Sequence, residues 1–274
     1  MSAPGESWWR AYSVLARGLA ALNRLPIGER SVAIGGERLY ADSVDRLLAL
    51  LAWKWGLGER EERALIARAV KPGMIAVDVG ANVGLHTLGL ARRVGPEGRV
   101  HALEPEPANF RLLARAVKRA RAANVRLHPL AASDAAATLT LYLSDANRGD
   151  HRTAPAPEAR RAFEVRAVPL DALLADEPRV DFMKIDVQGA ESAVFRGFAE
   201  TLARNPAIGV LAELCPELLR RAGSSGEELL ALLARSGLAP RRIRASGETA
   251  PIAESEALEA AERSGYVNLY FARP

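Results

Sequence analysis

A glycine-containing turn between an apolar run and a helical stretch is the first part of the sequence that could do chemistry. The segment reads VDVGANVGLHT, with Asp78, Gly80, Asn82 and Gly84 two residues apart. Glycine lets a ligand approach the backbone without meeting a Cβ, and Asn tolerates the positive φ that such turns require. The N–H groups at the start of the following helix have no partner within the helix. The segment is either a ligand-binding loop or a tight strand-to-helix turn.

The order of the glycines indicates which ligand the loop could hold. A dinucleotide site needs Gly-x-Gly-x-x-Gly, which brings a pyrophosphate onto the helix. Here the order is Gly-x-Asn-x-Gly, and Leu85 occupies the sixth position. Together with the acidic Asp78 before the loop, this order favours a ligand with a positive amino-acid end over one with two phosphates.

Two later segments also place polar side chains after apolar runs. HALEPEP puts Glu104 at a strand tip, where a carboxylate can accept hydrogen bonds from both hydroxyls of a ribose. LAASD puts Ser133 and Asp134 where an adenine edge would lie, although these two residues could equally form a simple turn. The three segments together predict one ligand with an amino-acid end, a ribose and a base.

The elements that must position these residues follow from the rhythm of the chain after Lys71-Pro72-Gly73, a turn signal. Short apolar runs alternate with helical stretches, which is typical of a parallel sheet covered on both faces. Predicted strands lie near 75–79, 99–103, 125–130, 181–185 and 208–214, and helices near 86–94, 107–122, 190–205 and 226–236. The fold class is α/β, with a doubly wound, mostly parallel Rossmann-like sheet.

Further elements surround this pattern. Strands are predicted at 138–143 and 163–168 on either side of a polar insertion, 144–161, and the final GYVNLYFARP is a strand that can pair antiparallel. Before the turn, the sequence predicts a helix with one apolar stripe, a hairpin at Gly35-Gly36 and a broken helical stretch; these span 8–22, 31–43 and 44–70. Residues 1–70 are therefore predicted to form a helical and hairpin extension, and 71–274 the ligand-binding domain.

The ordered motifs VKPGMIAVDVGANVGLHT, ALEPEP, AASD, DFMKIDVQGAE and LAELCPE resemble the FkbM family of S-adenosylmethionine-dependent methyltransferases over residues 59–243. The resemblance implies a class I methyltransferase fold, S-adenosyl-L-methionine as cofactor, and methyl transfer to hydroxyl oxygens of sugars or natural-product-like small molecules. By position, the family's cofactor-binding motifs fall on Asp78, Gly80, Ala81, Asn82, Gly84 and Glu104, with Ser133 and Asp134 on the adenine side. Gln188 stands where the family pattern leads us to expect Glu.

Transfer to a neutral hydroxyl needs a base, or a metal that lowers the pKa of the hydroxyl. The candidate catalytic residues are Asp186 and Glu213, which end strands, and His151 in the polar insertion, where Arg148 and Arg152 are predicted to contact the acceptor. Asp186 could instead brace the next helix, and His151 could be a solvated loop residue. No His and carboxylate set has zinc-ligand spacing, so no metal ligands are assigned, and a divalent metal stays open only through Asp186.

Composition limits the remaining function classes. The formal net charge is +4, carried mostly by scattered arginines, which is not the clustered pattern of a nucleic-acid-binding surface. A single cysteine, Cys215, excludes an intrachain disulfide. The sequence shows no secretory signal and no membrane-spanning apolar run, so we expect a cytoplasmic protein, with a homodimer formed through the N-terminal helix. Two alternatives remain: an NAD-dependent or nucleotide-sugar oxidoreductase, and a non-catalytic S-adenosylmethionine-binding protein.

Overall fold

The computed structural model describes residues 23, 27–144, 147–154 and 161–274. The predicted helix at 8–22 lies outside these residues. The predicted hairpin is confirmed: β1 (Arg30–Ile34) pairs antiparallel with β2 (Glu37–Ala41). The predicted broken helical stretch is also confirmed, as α1 (Val44–Lys54) and α2 (Arg60–Ala69).

An eight-stranded sheet forms the centre of the structure. Its strands are β3 (Ile75–Val79), β4 (Arg99–Leu103), β5 (Val125–His128), β9 (Phe182–Ile185), β10 (Gly209–Leu214), β11 (Ala239–Ile243), β12 (Thr249–Pro251) and β13 (Val267–Ala272). They lie in the order β12-β11-β13-β10-β9-β3-β4-β5. β3, β4, β5, β9 and β10 are parallel, and β13 is antiparallel to β10. The chain winds outward in opposite directions from β3 and β9, so the predicted doubly wound sheet is confirmed and its switch point lies between these two strands.

Helices cover both faces of this sheet. They are α3 (Leu85–Val94), α4 (Pro107–Ala120), α5 (Leu170–Leu173), α6 (Glu191–Arg196), α7 (Ala199–Arg204), α8 (Pro216–Arg221), α9 (Gly226–Arg235) and α10 (Glu254–Ser264). Every residue of β3 and β9 is buried, which explains why these strands are continuous apolar runs apart from Asp78 and Lys184. Among the described residues, no helix is long and apolar enough to cross a membrane.

A smaller sheet corrects one prediction. The strand expected at 125–130 ends at His128, and Ala131–Ala132 forms β6, which pairs with β8 (Ala162–Val168); β8 in turn pairs with β7 (Ala137–Tyr142). Ser133 and Asp134 therefore follow a strand of the smaller sheet, not of the central one. The physical reason is that the Ser133 N–H bonds to the Val168 carbonyl, which continues the ladder of the smaller sheet.

A second correction concerns the helix predicted at 190–205, which is two helices, α6 and α7. The break falls at Gly197, where a Cβ would lie 2.1 Å from the Ser133 carbonyl oxygen. The hairpin and α1 pack against α4 through one apolar cluster that includes Leu39, Leu50 and Leu112. The division of the chain at residue 70 stays a prediction.

Candidate functional site

Two adjoining cavities open at the carboxyl edge of the sheet, where the strand order reverses. The first, here the loop cavity, has a volume of about 100 Å³ and is lined by residues from the loops that follow β3 and β4. The second, here the carboxylate cavity, has a volume of about 320 Å³ and is lined by several acidic side chains. Asn82, Lys184 and Asp186 line both cavities, so these residues form the border between them.

The loop after β3 has the backbone that its sequence predicts. Gly80, Asn82 and Gly84 all have positive φ, at 79°, 51° and 97°. A Cβ on Gly80 would lie 2.0 Å from the backbone oxygen of Asp186, so only glycine fits where this loop passes the end of β9. Ala81 is buried and lines the loop cavity beside Gly80 and Asn82. The loop therefore packs closely against the end of β9 and forms one wall of the loop cavity.

Glu104 joins this loop to the end of β4. Its Oε2 accepts the Asn82 N–H at 2.8 Å and its Oε1 accepts the Glu106 N–H at 2.9 Å. The side chain is only 5 % exposed, and burial raises its pKa to about 7 despite these two hydrogen bonds. Each carboxylate oxygen has a second lone pair, so Glu104 can still accept hydrogen bonds from a ligand in the loop cavity.

Asp78, Ser133 and Asp134 do not line either cavity. Asp78 is fully buried; its Oδ2 accepts the Thr87 hydroxyl at 2.6 Å and its Oδ1 lies 3.8 Å from Lys184 Nζ. Asp134 accepts a hydrogen bond from Ser133 and forms an ion pair with Arg196 at 3.2 Å. The structure thus places Asp78 beneath the loop, and the residues just before Ser133-Asp134 that line the loop cavity are Leu130, Ala131 and Ala132.

Asp186 follows β9 and has two polar neighbours. Gln188 Nε2 donates to its Oδ1 at 2.6 Å, and Lys184 Nζ lies 3.8 Å from its Oδ2. Burial opposes the charge of Lys184, but Asp186 and Asp78 outweigh burial and raise its pKa, so Lys184 stays protonated. Lys184 is charged and lies inside an otherwise apolar strand, and this feature of the sequence could have identified it as a site residue, although no role was assigned to it.

Glu213, near the end of β10, lines the carboxylate cavity together with Tyr266 and Asn268. Burial, and then the charges of Asp186 and Glu191, raise the pKa of Glu213 well above its ordinary value. Burial and these charges therefore favour the protonated form of Glu213. Glu191 accepts the N–H groups of Val187 at 3.1 Å and of Gly189 at 3.0 Å, so it braces the loop that precedes α6.

His151 lines the loop cavity, but its hydrogen bonding limits its chemistry. Its Nδ1 accepts the backbone N–H of Ser144 at 3.1 Å. A neutral ring bound in this way carries its proton on Nε2, and its Nδ1 lone pair is already engaged by the Ser144 N–H. Arg148 also lines the loop cavity, whereas Arg152 lines the carboxylate cavity and pairs with Asp150 at 2.6 and 2.7 Å.

Three lining residues come from parts of the chain to which the sequence analysis gave no binding role. Trp53, Glu59 and His86 line both cavities, and Glu59 Oε2 lies 2.8 Å from His86 Nε2. Trp53 and Glu59 flank the break between α1 and α2, and only the tertiary fold brings this break to the sheet edge. Within the described ranges, no group of three or more His, Cys, Asp or Glu side chains could hold a metal ion.

The sheet order, with an antiparallel strand beside β10 and paired cavities at the switch point, defines a Rossmann-like protein with the class I methyltransferase fold. Residues 78–238 match the family model described as the methyltransferase FkbM domain. This match covers more than half of the chain, and the chain belongs to the FkbM methyltransferase family.

Individual relatives are more distant. "Methyltransferase 1" of Beauveria bassiana (strain ARSEF 2860) is 30% identical over 142 residues. The match covers 44% of this chain and 57% of that protein, so it spans little more than half of the relative. Methyltransferase FkbM from Methylobacillus flagellatus KT has 16% identity and a TM-score of 0.45, with 97% of this chain and 60% of that chain covered. A TehB-like SAM-dependent methyltransferase from Corynebacterium glutamicum ATCC 13032 Kitasato has 12% identity and a TM-score of 0.47, with 84% and 96% covered.

Proposed function

We propose that this protein is an S-adenosylmethionine-dependent methyltransferase that methylates a hydroxyl oxygen of a sugar or of a natural-product-like small molecule. Family membership supports methyl transfer and counts against the oxidoreductase alternative. The observation that carries the proposal is the position of Asp186, whose side chain lies on the border between the loop cavity and the carboxylate cavity. A base at that border can reach an acceptor in one cavity while a methyl donor occupies the other.

The loop cavity fits the cofactor by the chemistry of its walls. Glu104 has lone pairs for the two ribose hydroxyls, and the apolar Leu130, Ala131 and Ala132 suit the face of a base. Gly80, Ala81 and Asn82 line the loop cavity, so this loop can contact the amino-acid end. When bound, S-adenosylmethionine supplies a methyl group on a positively charged sulfur.

Asp186 is the residue that accepts the proton of the acceptor hydroxyl in this proposal. Its side chain is 38% exposed, so a ligand can reach the carboxylate. The other polar groups nearby are less suited: Lys184 is positively charged, the surroundings of Glu213 favour its protonated form, and the Nδ1 lone pair of His151 accepts the Ser144 N–H. In its protonated form, Glu213 can instead donate a hydrogen bond that orients the acceptor oxygen.

The carboxylate cavity supports a hydroxylated acceptor. Glu62, Tyr266 and Asn268 add polar groups to a wall that already holds Asp186 and Glu213. Hydroxyl groups of an acceptor suit these polar side chains, because each hydroxyl both donates and accepts hydrogen bonds. A cytoplasmic location and a homodimer through the N-terminal helix remain part of the proposal, to be tested by cell fractionation and by light scattering.

The experiment is to measure methyl transfer to a panel of sugars and hydroxylated natural products with wild type and Asp186→Asn. We expect Asp186→Asn to lower kcat by roughly 10²- to 10⁴-fold, the usual contribution of a general base, with little change in cofactor affinity. Asp176→Asn is the matched control, because Asp176 is exposed and precedes β9 at the opposite sheet edge.

An unchanged kcat in Asp186→Asn would remove Asp186 from the reaction. A wild type that binds the cofactor but methylates no acceptor would favour the second candidate, a non-catalytic S-adenosylmethionine-binding protein.

A further inference from the structure

Two buried side chains on the wall of the loop cavity each have a ring nitrogen without a hydrogen-bond partner. Trp53 is 7% exposed and His86 is 8% exposed, yet Trp53 Nε1 and His86 Nδ1 make no hydrogen bond within the part of the chain that the structure describes. Unpaired buried donors cost free energy and are uncommon in folded proteins. Because both residues line the loop cavity, a ligand in that cavity is the natural source of the missing acceptor.

The surroundings of His86 indicate that this acceptor is an anion. The Nε2 of His86 is paired with Glu59 at 2.8 Å, which leaves Nδ1 as the nitrogen without a partner. Burial opposes a charged ring, but the charge and hydrogen bond of Glu59 outweigh burial and raise the pKa of His86. His86 also lies in the first turn of α3, where the helix dipole favours negative charge.

The position of Asp78 leaves the amino-acid end of the cofactor in need of other partners. Asp78, the residue that the sequence assigned to this end, is fully buried below the loop and does not reach the cavity. Trp53 and His86 line the same cavity as the loop residues Gly80, Ala81 and Asn82, along which the amino-acid end would lie. The indole N–H is a donor, Nδ1 of His86 is a donor in the protonated form of the ring that Glu59 favours, and a carboxylate is a pure acceptor.

We propose that Trp53 Nε1 and His86 Nδ1 donate hydrogen bonds to the carboxylate at the amino-acid end of S-adenosylmethionine, with Glu59 holding the His86 ring. This inference rests on the proposed function. It assigns a binding role to the extension before residue 71, since Trp53 belongs to α1 and Glu59 lies at the start of α2.

The test uses calorimetric titration with two ligands, S-adenosylhomocysteine and 5′-methylthioadenosine. The second ligand keeps the base, the ribose and the sulfur but lacks the amino-acid end. Trp53→Phe removes the indole N–H and keeps an aromatic ring. His86→Gln removes the Nδ1 donor but keeps an amide near Glu59. Trp55→Phe is the matched control, because Trp55 is 68% exposed and lines neither cavity.

We expect Trp53→Phe and His86→Gln each to weaken S-adenosylhomocysteine binding about tenfold, the usual effect of losing a hydrogen bond to a charged group. Binding of 5′-methylthioadenosine should change less than about twofold in both variants, and Trp55→Phe should bind both ligands as wild type does. Circular dichroism checks that each variant is folded; if Trp53→Phe does not fold, His86→Gln decides the question.

Unchanged S-adenosylhomocysteine affinity, or an equal loss for the two ligands, would overturn this inference while leaving the proposed function intact. A folded wild type that binds neither ligand would overturn the proposed function and this inference together.

Discussion

The walls of the two cavities are built in different ways. Around the loop cavity, Glu104 is tied to Asn82 and Glu106 through backbone N–H groups, and all three lie close to the ends of neighbouring strands. The carboxylate cavity collects side chains from distant segments, among them Glu62, Asp150 and Tyr266. Backbone hydrogen bonds fix the side of the loop cavity that Glu104 and Asn82 form, whereas substitutions could change the side chains of the carboxylate cavity without disturbing the sheet. We therefore expect that the cofactor site can stay the same while the acceptor changes.

The substitution with the largest expected effect is Gly80→Ala, which tests the rigidity of the loop cavity. The new Cβ would lie 2.0 Å from the Asp186 backbone oxygen, at a φ of 79° that alanine adopts with strain. We expect a loss of at least about 3 kcal/mol in the free energy of unfolding, because steric overlap adds to backbone strain. Cofactor affinity should fall below detection. Denaturant melts and titration calorimetry measure the two effects.

Gly56→Ala provides the matched control. Gly56 has a similar φ of 74° but nothing lies within 4 Å of an added Cβ. Only the backbone strain should remain, so we expect about 1 kcal/mol of destabilisation and unchanged cofactor affinity. If the two variants behave alike, the close approach of the loop to β9 is not what shapes the cavity.

The next largest effect is a pH dependence of cofactor affinity, which we attribute to Glu104 and not to the side chains of the carboxylate cavity. Burial raises the pKa of Glu104 to about 7. Because the ionised form accepts both ribose hydroxyls, cofactor affinity should increase as pH rises through 7, by about tenfold between pH 6 and pH 8.

Glu104→Gln removes this titration, so its weaker affinity should vary much less over the same range. Calorimetry at a series of pH values measures both profiles. Equal pH dependence in the two proteins would assign the titration to another group.

The smallest expected effect belongs to Gln188→Glu, which alters the border between the cavities. The amide of Gln188 donates to Asp186 at 2.6 Å, whereas a carboxylate there would remove the donor and add negative charge. The lost hydrogen bond and the added negative charge should misorient the Asp186 carboxylate and lower kcat a few-fold, with unchanged cofactor affinity. A kcat equal to that of wild type would contradict a base role for Asp186.

The sequence predicted best what depends on local patterns. The parallel strands were found because they are buried on both faces and so form apolar runs. β11 was missed because it carries Arg241 and Arg242 and is not a continuous apolar run. Glu104 directly follows β4 and lines the loop cavity, whereas Asp78 lies within β3 and is covered on both faces; the binding roles of both residues stay predictions.

The parts of the site that come from distant segments could not be predicted in this way. Trp53 and His86 are 33 positions apart, and the sequence gives no local pattern that joins them. They meet at one cavity because the hairpin and α1 pack against α4. Likewise, no local pattern in the sequence indicates that the Ser144 N–H donates to Nδ1 of His151.

Most of these predictions depend on our proposal that the cavity between the β3 loop and Glu104 binds S-adenosylmethionine. The most direct test is calorimetric titration of S-adenosylhomocysteine into wild type and into Glu104→Ala, with circular dichroism to show that both are folded. We predict binding to wild type and at least about a hundredfold weaker binding to the variant, because Glu104 holds both the ribose and the Asn82 N–H. No binding to folded wild type, or equal binding to both proteins, would contradict this account.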